Sequence, residues 1–138
     1  MELSIRKLEE SDWDTLVSLW SMWPEWKKTI PTKDLLPENG TGGYIVEKGD
    51  EAVMAGFLYT TNSKVAWVEW IVSNKDYRGN DRKEALELLI SGIEHVAKES
   101  GYSIILSIAR SKGLIHTFKE LNYTVDDSPS FEVAKKIN

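Results

Sequence analysis

Cysteine is absent from this 138-residue chain, which excludes disulfides, thiolate metal sites and a cysteine nucleophile and fits a reducing compartment. Histidine is almost as scarce, with two residues far apart. Without cysteine or a regular carboxylate spacing, no pattern for a zinc or calcium site remains. No apolar run approaches the ~18 residues a membrane-spanning helix needs. The opening Met1-Glu2-Leu3-Ser4-Ile5-Arg6-Lys7 is too charged for the apolar region of a signal peptide. The expectation is a cytoplasmic protein, neither secreted nor membrane-spanning. Positive charge is also in deficit: 17 Lys and Arg face 22 Asp and Glu, for a net charge of −5. That balance opposes binding to a polyanion, because neutralising phosphates with Lys and Arg supplies most non-specific affinity. Nucleic acid and membrane are not expected partners. An acidic surface suits an amine or cationic substrate, although solubility alone accounts for it, and a homodimer is compatible with it.

What is present reads as an ordinary globular chain, with 41% apolar and 28% charged residues. At this length one core suffices, so residues 1–138 are read as a single domain. Leu3, Ile5 and Lys7 alternate with Ser4 and Arg6 as in a half-buried strand. Ser11 or Asp12 then caps a helix over 12–22, in which Trp13, Leu16, Val17, Leu19 and Trp20 recur at helical spacing until Pro24. From Trp23 to Gly43 the punctuation by proline and glycine predicts a loop with one short helix near 32–36. Residues 44–48 and 52–60 form a hairpin turning at Gly49-Asp50-Glu51. The run Val65 to Val72 is β-branched and aromatic, and is read as a central strand buried on both faces.

Asn80 or Asp81 opens the longest helix, whose stripe of Ala85, Leu86, Leu89, Ile90, Ile93, Val96 and Ala97 ends at Gly101. A strand over 103–109, a helix over 112–121 and a final strand pair, 123–125 with 131–137, complete an order βαβββαβαββ. The strand–helix–strand stretch from Val65 to Ala109 implies a parallel pair with a right-handed crossover inside an otherwise antiparallel sheet.

The stretch Ile71-Val72-Ser73-Asn74-Lys75-Asp76-Tyr77-Arg78-Gly79-Asn80, entering a helix with Ala85-Leu86 one turn inside, resembles the central motif of the GNAT N-acetyltransferase superfamily. There a strand ends, a loop of the form Arg/Gln-x-x-Gly-x-Gly/Ala turns, and a helix begins. The closing Phe118-Lys119-Glu120-Leu121-Asn122-Tyr123 is similar to the family's aromatic-x-x-Leu-Gly-Phe ending, and the element order extends the likeness over nearly the whole chain. The resemblance implies an α/β (α+β) fold with a mixed, mostly antiparallel sheet of six to seven strands flanked by about four helices. It implies acetyl-CoA as cofactor and an amine of a small molecule or protein as acceptor.

The physics of the loop is independent of the name. A helix start presents unpaired amides and partial positive charge, so such a turn can hold a pyrophosphate. The resemblance assigns Arg78, Gly79, Asn80, Asp81, Arg82 and Lys83 to that role, and the backbone of Trp70, Ile71 and Val72 to the pantetheine arm. Asp81 and Lys83 depart from the pattern, standing where the family has Gly and Gly or Ala. A carboxylate at Asp81 about 5 Å from a phosphate would repel it by roughly 1 kcal/mol in water-like surroundings.

Direct transfer needs a proton acceptor for the amine and a proton for the departing thiolate. Glu69, the one carboxylate in an apolar strand, is the candidate base; the plainer reading is an outward residue paired with Lys64 or another cation. Where many GNAT enzymes place a tyrosine as general acid this chain has Phe118, leaving His116 on the same helix as the titratable substitute. The asparagine often found at that helix's start is replaced by Ser111. Of six tryptophans, Trp13, Trp20 and Trp67 suit core packing, while Trp23 and Trp26 border the irregular segment and are candidates for substrate contact. The rival to an N-acetyltransferase is a GNAT-like ligand-binding or protein-interaction module without transfer activity, which Asp81, Lys83 and Phe118 favour. A transferase using another activated acyl donor shares the same fold.

Overall fold

The computed structural model describes residues 1–26 and 28–138, in two compact units, Met1–Ile108 and Ala109–Asn138. The first unit contains β1 (Leu3–Lys7), α1 (Trp13–Ser21), β2 (Gly43–Lys48), β3 (Glu51–Tyr59), β4 (Val65–Ser73), α2 (Arg82–Glu99) and β5 (Ile104–Leu106). Short 3-10 turns at Glu10–Asp12, Lys33–Leu35 and Pro37–Gly40 fill the connections. The strands lie in sequence order, β1-β2-β3-β4-β5. Pairing is antiparallel from β1 to β4 and parallel between β4 and β5, the join that requires α2 as its crossover.

Each face of the sheet carries its own core. Val46, Val53, Val68, Ala85, Leu89 and Ile93 are buried on the α2 side. Leu16, Leu19, Trp20, Ile45, Phe57 and Val72 are buried on the α1 side. The central strand is β3, the third of five, not β4: six consecutive residues, Val53 to Leu58, are buried, because both faces of β3 are covered, Val53, Met54 and Leu58 on the α2 side and Ala55 and Phe57 on the α1 side. In β4 only Ala66, Val68 and Val72 are buried and the rest are half-buried, so its two faces are unequally covered.

Local signals account for the helix ends. Helix α2 buries Ala85, Leu89, Ile90, Ile93 and Ala97 and stops at Gly101, whose φ is +94°. Tyr102 N–H returns to Ala97 C=O at 3.0 Å and Gly101 N–H to Lys98 C=O at 3.0 Å, the paired bonds of a Schellman ending that a left-handed glycine permits.

A fork of charge staples the first strand. Arg6 donates to both carboxylate oxygens of Asp12 at 2.8 Å and to Glu47 at 2.8 Å, and Asp12 also accepts the Glu9 amide at 2.8 Å. Asp12 is 7% exposed. The hydrogen bonds from Arg6 hold its carboxyl below the ordinary aspartate range, against the opposing cost of burial. Arg6→Met should therefore cost about 1–3 kcal/mol at pH 7 by leaving that carboxylate unpaired, the half-exposed guanidinium setting a modest figure. A depressed carboxyl stabilises the fold above its unfolded pKa, near 3.9, and that stability is lost as pH falls through the folded value. Urea unfolding should show the gap between variant and wild type closing below about pH 4.

The second unit holds α3 (Lys112–Glu120), with Ser111 as its N-cap accepting the Leu114 amide at 3.2 Å. Phe118 is buried and lies against Tyr123 with ring centroids 4.7 Å apart. The strands expected over 123–125 and 131–137 do not form. Pro129 and the polar stretch Asp126-Asp127-Ser128 break the first segment. Phe131, Val133 and Ile137 are 91%, 92% and 90% exposed, so the alternating pattern buries no face, and a two-stranded hairpin without a third layer is marginal. The strand expected over 103–109 is shortened to 104–106. The described residues thus form a mixed sheet of five strands with three α-helices, one or two strands and about one helix fewer than expected.

Candidate functional site

Strand β4 is distorted at its middle. Its register with β3 runs from Val72 opposite Ala55 to Glu69 opposite Phe57 with a shift between, so Trp70 and Ile71 together oppose Gly56. This is a β-bulge, a feature common beside functional sites. Trp70 has φ +61°, a left-handed conformation that costs a bulky side chain of order 1–3 kcal/mol. Its indole is pinned to offset that cost: Nε1 donates to the Tyr59 hydroxyl at 2.8 Å, and the ring lies 6.1 Å from Trp20 and 5.2 Å from Trp26.

The other edge of β4 opens at the same level. Pairing with β5 covers Val65, Ala66 and Trp67 against Ile104, Ile105 and Leu106. The Ser107 hydroxyl then donates to Val68 C=O at 2.6 Å, and the Ile108 amide donates to the Glu69 carboxylate at 2.8 Å. A side chain has replaced the ladder, which is why β5 is short. Among the described residues no strand pairs with β4 beyond this point, so the outer edge of Trp70, Ile71 and Val72 has no strand partner, with Val72 itself 3% exposed.

That edge runs into the loop preceding α2. Asn74, 9% exposed, ties the loop down by donating to Ala52 C=O at 2.8 Å and accepting the Asp76 amide at 3.0 Å. Arg82 closes it from the helix side, donating to Asn74 C=O and Tyr77 C=O at 2.8 Å each and to the Ser73 hydroxyl. Arg78, Gly79 and Asn80 form an exposed tip, and Lys83 is exposed one turn on. Asp81 stands at the N-cap but makes no capping bond with its side chain, so α2 opens with its dipole and first amides unscreened by a side-chain cap. Its carboxylate instead meets Lys48 Nζ at 2.8 Å and accepts from the Tyr77 hydroxyl at 2.5 Å. Lys48 and then Tyr77 hold the Asp81 carboxyl below its ordinary value, and Asp81 in turn raises Lys48 and Tyr77.

Gly79 is required by packing rather than by φ. A Cβ there would sit 2.3 Å from the Tyr77 hydroxyl, on a ring that is 4% exposed and anchored at its far end.

The structure brings some of the sequence candidates together on the α1 face. Glu69 and Trp70 share it with Trp23 and Trp26; Trp23 Nε1 donates to Ser73 C=O at 2.8 Å, and Lys75 lies 5.2 Å from the Trp23 ring centroid. Ile71 turns to the α2 side and Val72 is buried among the α1-side residues. His116 is exposed in the second unit, 3.3 Å from Glu120. Two participants had no reading in the sequence. Tyr59 accepts the Trp70 indole and donates to Leu35 C=O at 2.9 Å; burial first, and then the Glu69 charge, push its hydroxyl above the ordinary tyrosine value, against the Trp70 bond. Its place two residues beyond Phe57, on the same face of β3, is the signal that would have found it. Lys48 lies 33 residues from Asp81, and no local pattern connects them.

Other features carry less. A cleft of about 480 Å³ lies at the far end of α2, beside Val96 and Ser100, and its charged residues Lys7 and Glu38 pair with each other at 3.0 Å. No group of three or more potential metal ligands occurs among the described residues, and no helix among them is long and apolar enough to cross a membrane.

No family model and no curated protein matches the sequence significantly. Solved structures do match in shape. A transcriptional regulator from Bacillus halodurans superposes with a TM-score of 0.71 at 14% identity, over 97% of this chain and 100% of that one. AAC(6')-Iy, in complex with the bisubstrate analogue CoA-S-monomethyl-acetylneamine, gives 0.70 at 14% identity over 99% and 100%. N-acetylglutamate synthase from Neisseria gonorrhoeae, complexed with coenzyme A and N-acetyl-glutamate, gives 0.69 at 15% identity over 86% of this chain and 28% of its own. At these identities the likeness is one of fold alone, a mixed, GNAT-like α/β fold.

Proposed function

We propose that this chain is an acetyl-CoA-dependent N-acetyltransferase, acting in the cytoplasm as a single acyltransferase domain on an amine of a small molecule or protein. The observation that carries the reading is the parting of β4 from β5 beyond Trp67 and Leu106, directly beside a helix start that lacks a side-chain cap. An extended ligand arm can add itself to the edge of Trp70 to Val72, which has no strand partner, by strand-like hydrogen bonds. The phosphates at its end then meet the opening of α2, with the exposed cations Arg78 and Lys83 close in sequence. Two solved relatives in fold hold coenzyme A or an analogue of it, which supports the same ligand class here.

Bound acetyl-CoA supplies the activated acyl thioester. The chain's own residues supply the rest. Trp23 and Trp26 offer aromatic faces suited to a cationic acceptor. Glu69, oriented by the Ile108 amide, takes the proton from the acceptor ammonium directly or through water, so that a neutral amine attacks. Backbone amides at the bulge stabilise the oxyanion.

Coenzyme A at about 100 times its dissociation constant should stabilise the native state by about 2.7 kcal/mol in thermal unfolding, and an amine panel with acetyl-CoA should then release free thiol. A binding module without transfer is favoured by Phe118 at the tyrosine position, and by Arg82, whose guanidinium is spent on Ser73, Asn74 and Tyr77. Cofactor-induced stabilisation with no thiol release from any amine would select that module; no stabilisation at millimolar cofactor would remove the cofactor altogether.

A further inference from the structure

Glycine is the ordinary solution where phosphates approach a helix start, since a side chain there crowds the ligand. This chain has Asp81 at that place, and its backbone does not need glycine: φ is −110° and ψ 27°, outside the left-handed region. The side chain neither caps the helix nor points along the loop. It reaches β2, where Lys48 Nζ meets one carboxylate oxygen at 2.8 Å while the Tyr77 hydroxyl meets the other at 2.5 Å.

Tyr77 connects this anchorage to the rest of the loop. Its ring is 4% exposed, Arg82 lies 5.8 Å from its centroid, and Gly79 fits against its hydroxyl end with no room for a Cβ. The Tyr77 carbonyl is one of the three acceptors gripped by Arg82. Most fixed points of the segment between Ser73 and Arg82 therefore lead to Asn74, Arg82 or the Asp81–Lys48 pair, while Lys75, Asp76 and the tip Arg78–Asn80 are exposed.

We propose that Asp81 and Lys48 are a positioning pair. They tether the β4–α2 loop to β2 and, by turning the carboxylate away from the helix opening and neutralising it, keep that opening fit for the phosphates of coenzyme A. The inference rests on the cofactor reading given above. It reverses the effect expected of Asp81 from the sequence: the residue is a strut for anion binding rather than a repulsive substitute for glycine.

Two substitutions separate the alternatives. Asp81→Gly installs the residue common in loops of this shape. If the carboxylate repelled phosphate, affinity for coenzyme A would rise; if it is a strut, affinity should fall about tenfold or more, since a loop that must order itself on binding weakens the complex. Because glycine also loosens the backbone, Lys48→Met on β2 tests the same contact without touching the loop, and should give a similar loss. The double variant should bind no worse than either single one, and Lys48→Arg should restore affinity to within about threefold by renewing the charged contact.

Isothermal titration with coenzyme A reads these values, and hydrogen exchange gives a reading independent of ligand. Amides over 75–81 should exchange about tenfold faster in Lys48→Met, while those inside α2 remain as in wild type. Equal or tighter binding by Asp81→Gly or Lys48→Met beside a wild type that binds, or unchanged loop exchange in Lys48→Met, overturns the pair alone. A wild type that binds no coenzyme A overturns the cofactor reading, and with it the purpose assigned to the pair.

Discussion

Glu69→Gln is expected to lower kcat for acetyl transfer by about 100-fold or more while changing the dissociation constant of acetyl-CoA by less than about threefold. Glutamine retains an oxygen in the place where Glu69 accepts the Ile108 amide at 2.8 Å. The bridge that replaces the β4–β5 ladder should therefore survive, and with it the opening between the strands. What glutamine lacks is a basic lone pair able to hold the proton of an ammonium acceptor. A loss confined to kcat is the signature of an interaction made on the way to the transition state. The pH profile sharpens the test: raising the pH deprotonates the amine in solution and should recover part of the lost rate in the variant. Glu69→Ala, by contrast, removes the bridge, so it should lose stability as well as rate. Equal turnover of Glu69→Gln and wild type would take Glu69 out of the mechanism.

The largest effect on stability is expected at Trp20. Its side chain is 0% exposed and touches the ring systems of Trp13, Phe57 and Trp70 at centroid distances of 6.0, 6.1 and 6.1 Å. Trp20→Ala should cost about 3–5 kcal/mol, from lost burial and the cavity left behind. That corresponds to a fall in Tm of roughly 10 °C or more. Trp20→Phe retains an aromatic wall for Trp70 and should cost less than half as much, which keeps the comparison informative if the alanine variant is too unstable to purify. The position also matters to the site, because the left-handed backbone at Trp70 persists only while its indole is held by Tyr59, Trp20 and Trp26. A cost under about 1 kcal/mol for Trp20→Ala would contradict the packing described for the α1 side.

The elements visible in the sequence were those with a regular period and a clear stop. Helix α2 carries its apolar stripe to a glycine that takes the expected left-handed ending, and the β2–β3 hairpin turns at Gly49-Asp50. Rank within the sheet was not visible, since no residue of β3 announces that both its faces will be covered; the aromatic richness of β4 pointed to the wrong strand. The tail was over-read for a related reason. Phe131, Val133 and Ile137 alternate correctly, but alternation forms a strand only where a partner edge and a covering layer exist. At the site, chain order brought Glu69, Trp70 and the loop together because they are contiguous, whereas Lys48 and Tyr59 join it through sheet register. The bulge was hidden because tryptophan is among the residues least suited to positive φ. Only the packing of three other aromatic side chains makes it stable there.

The central claim is that the start of α2 and the edge of β4 that has no strand partner form one site for a pantetheine arm ending in phosphates. Calorimetric titration of the full chain with coenzyme A, and in parallel with 4'-phosphopantetheine, which lacks the adenosine and the pyrophosphate linkage, tests it most directly. The account predicts binding of both, with coenzyme A tighter by about tenfold or more, because only it delivers a diphosphate to the helix amides and neighbouring cations. Equal affinity for the two ligands, or no heat from either at millimolar concentration, would contradict it.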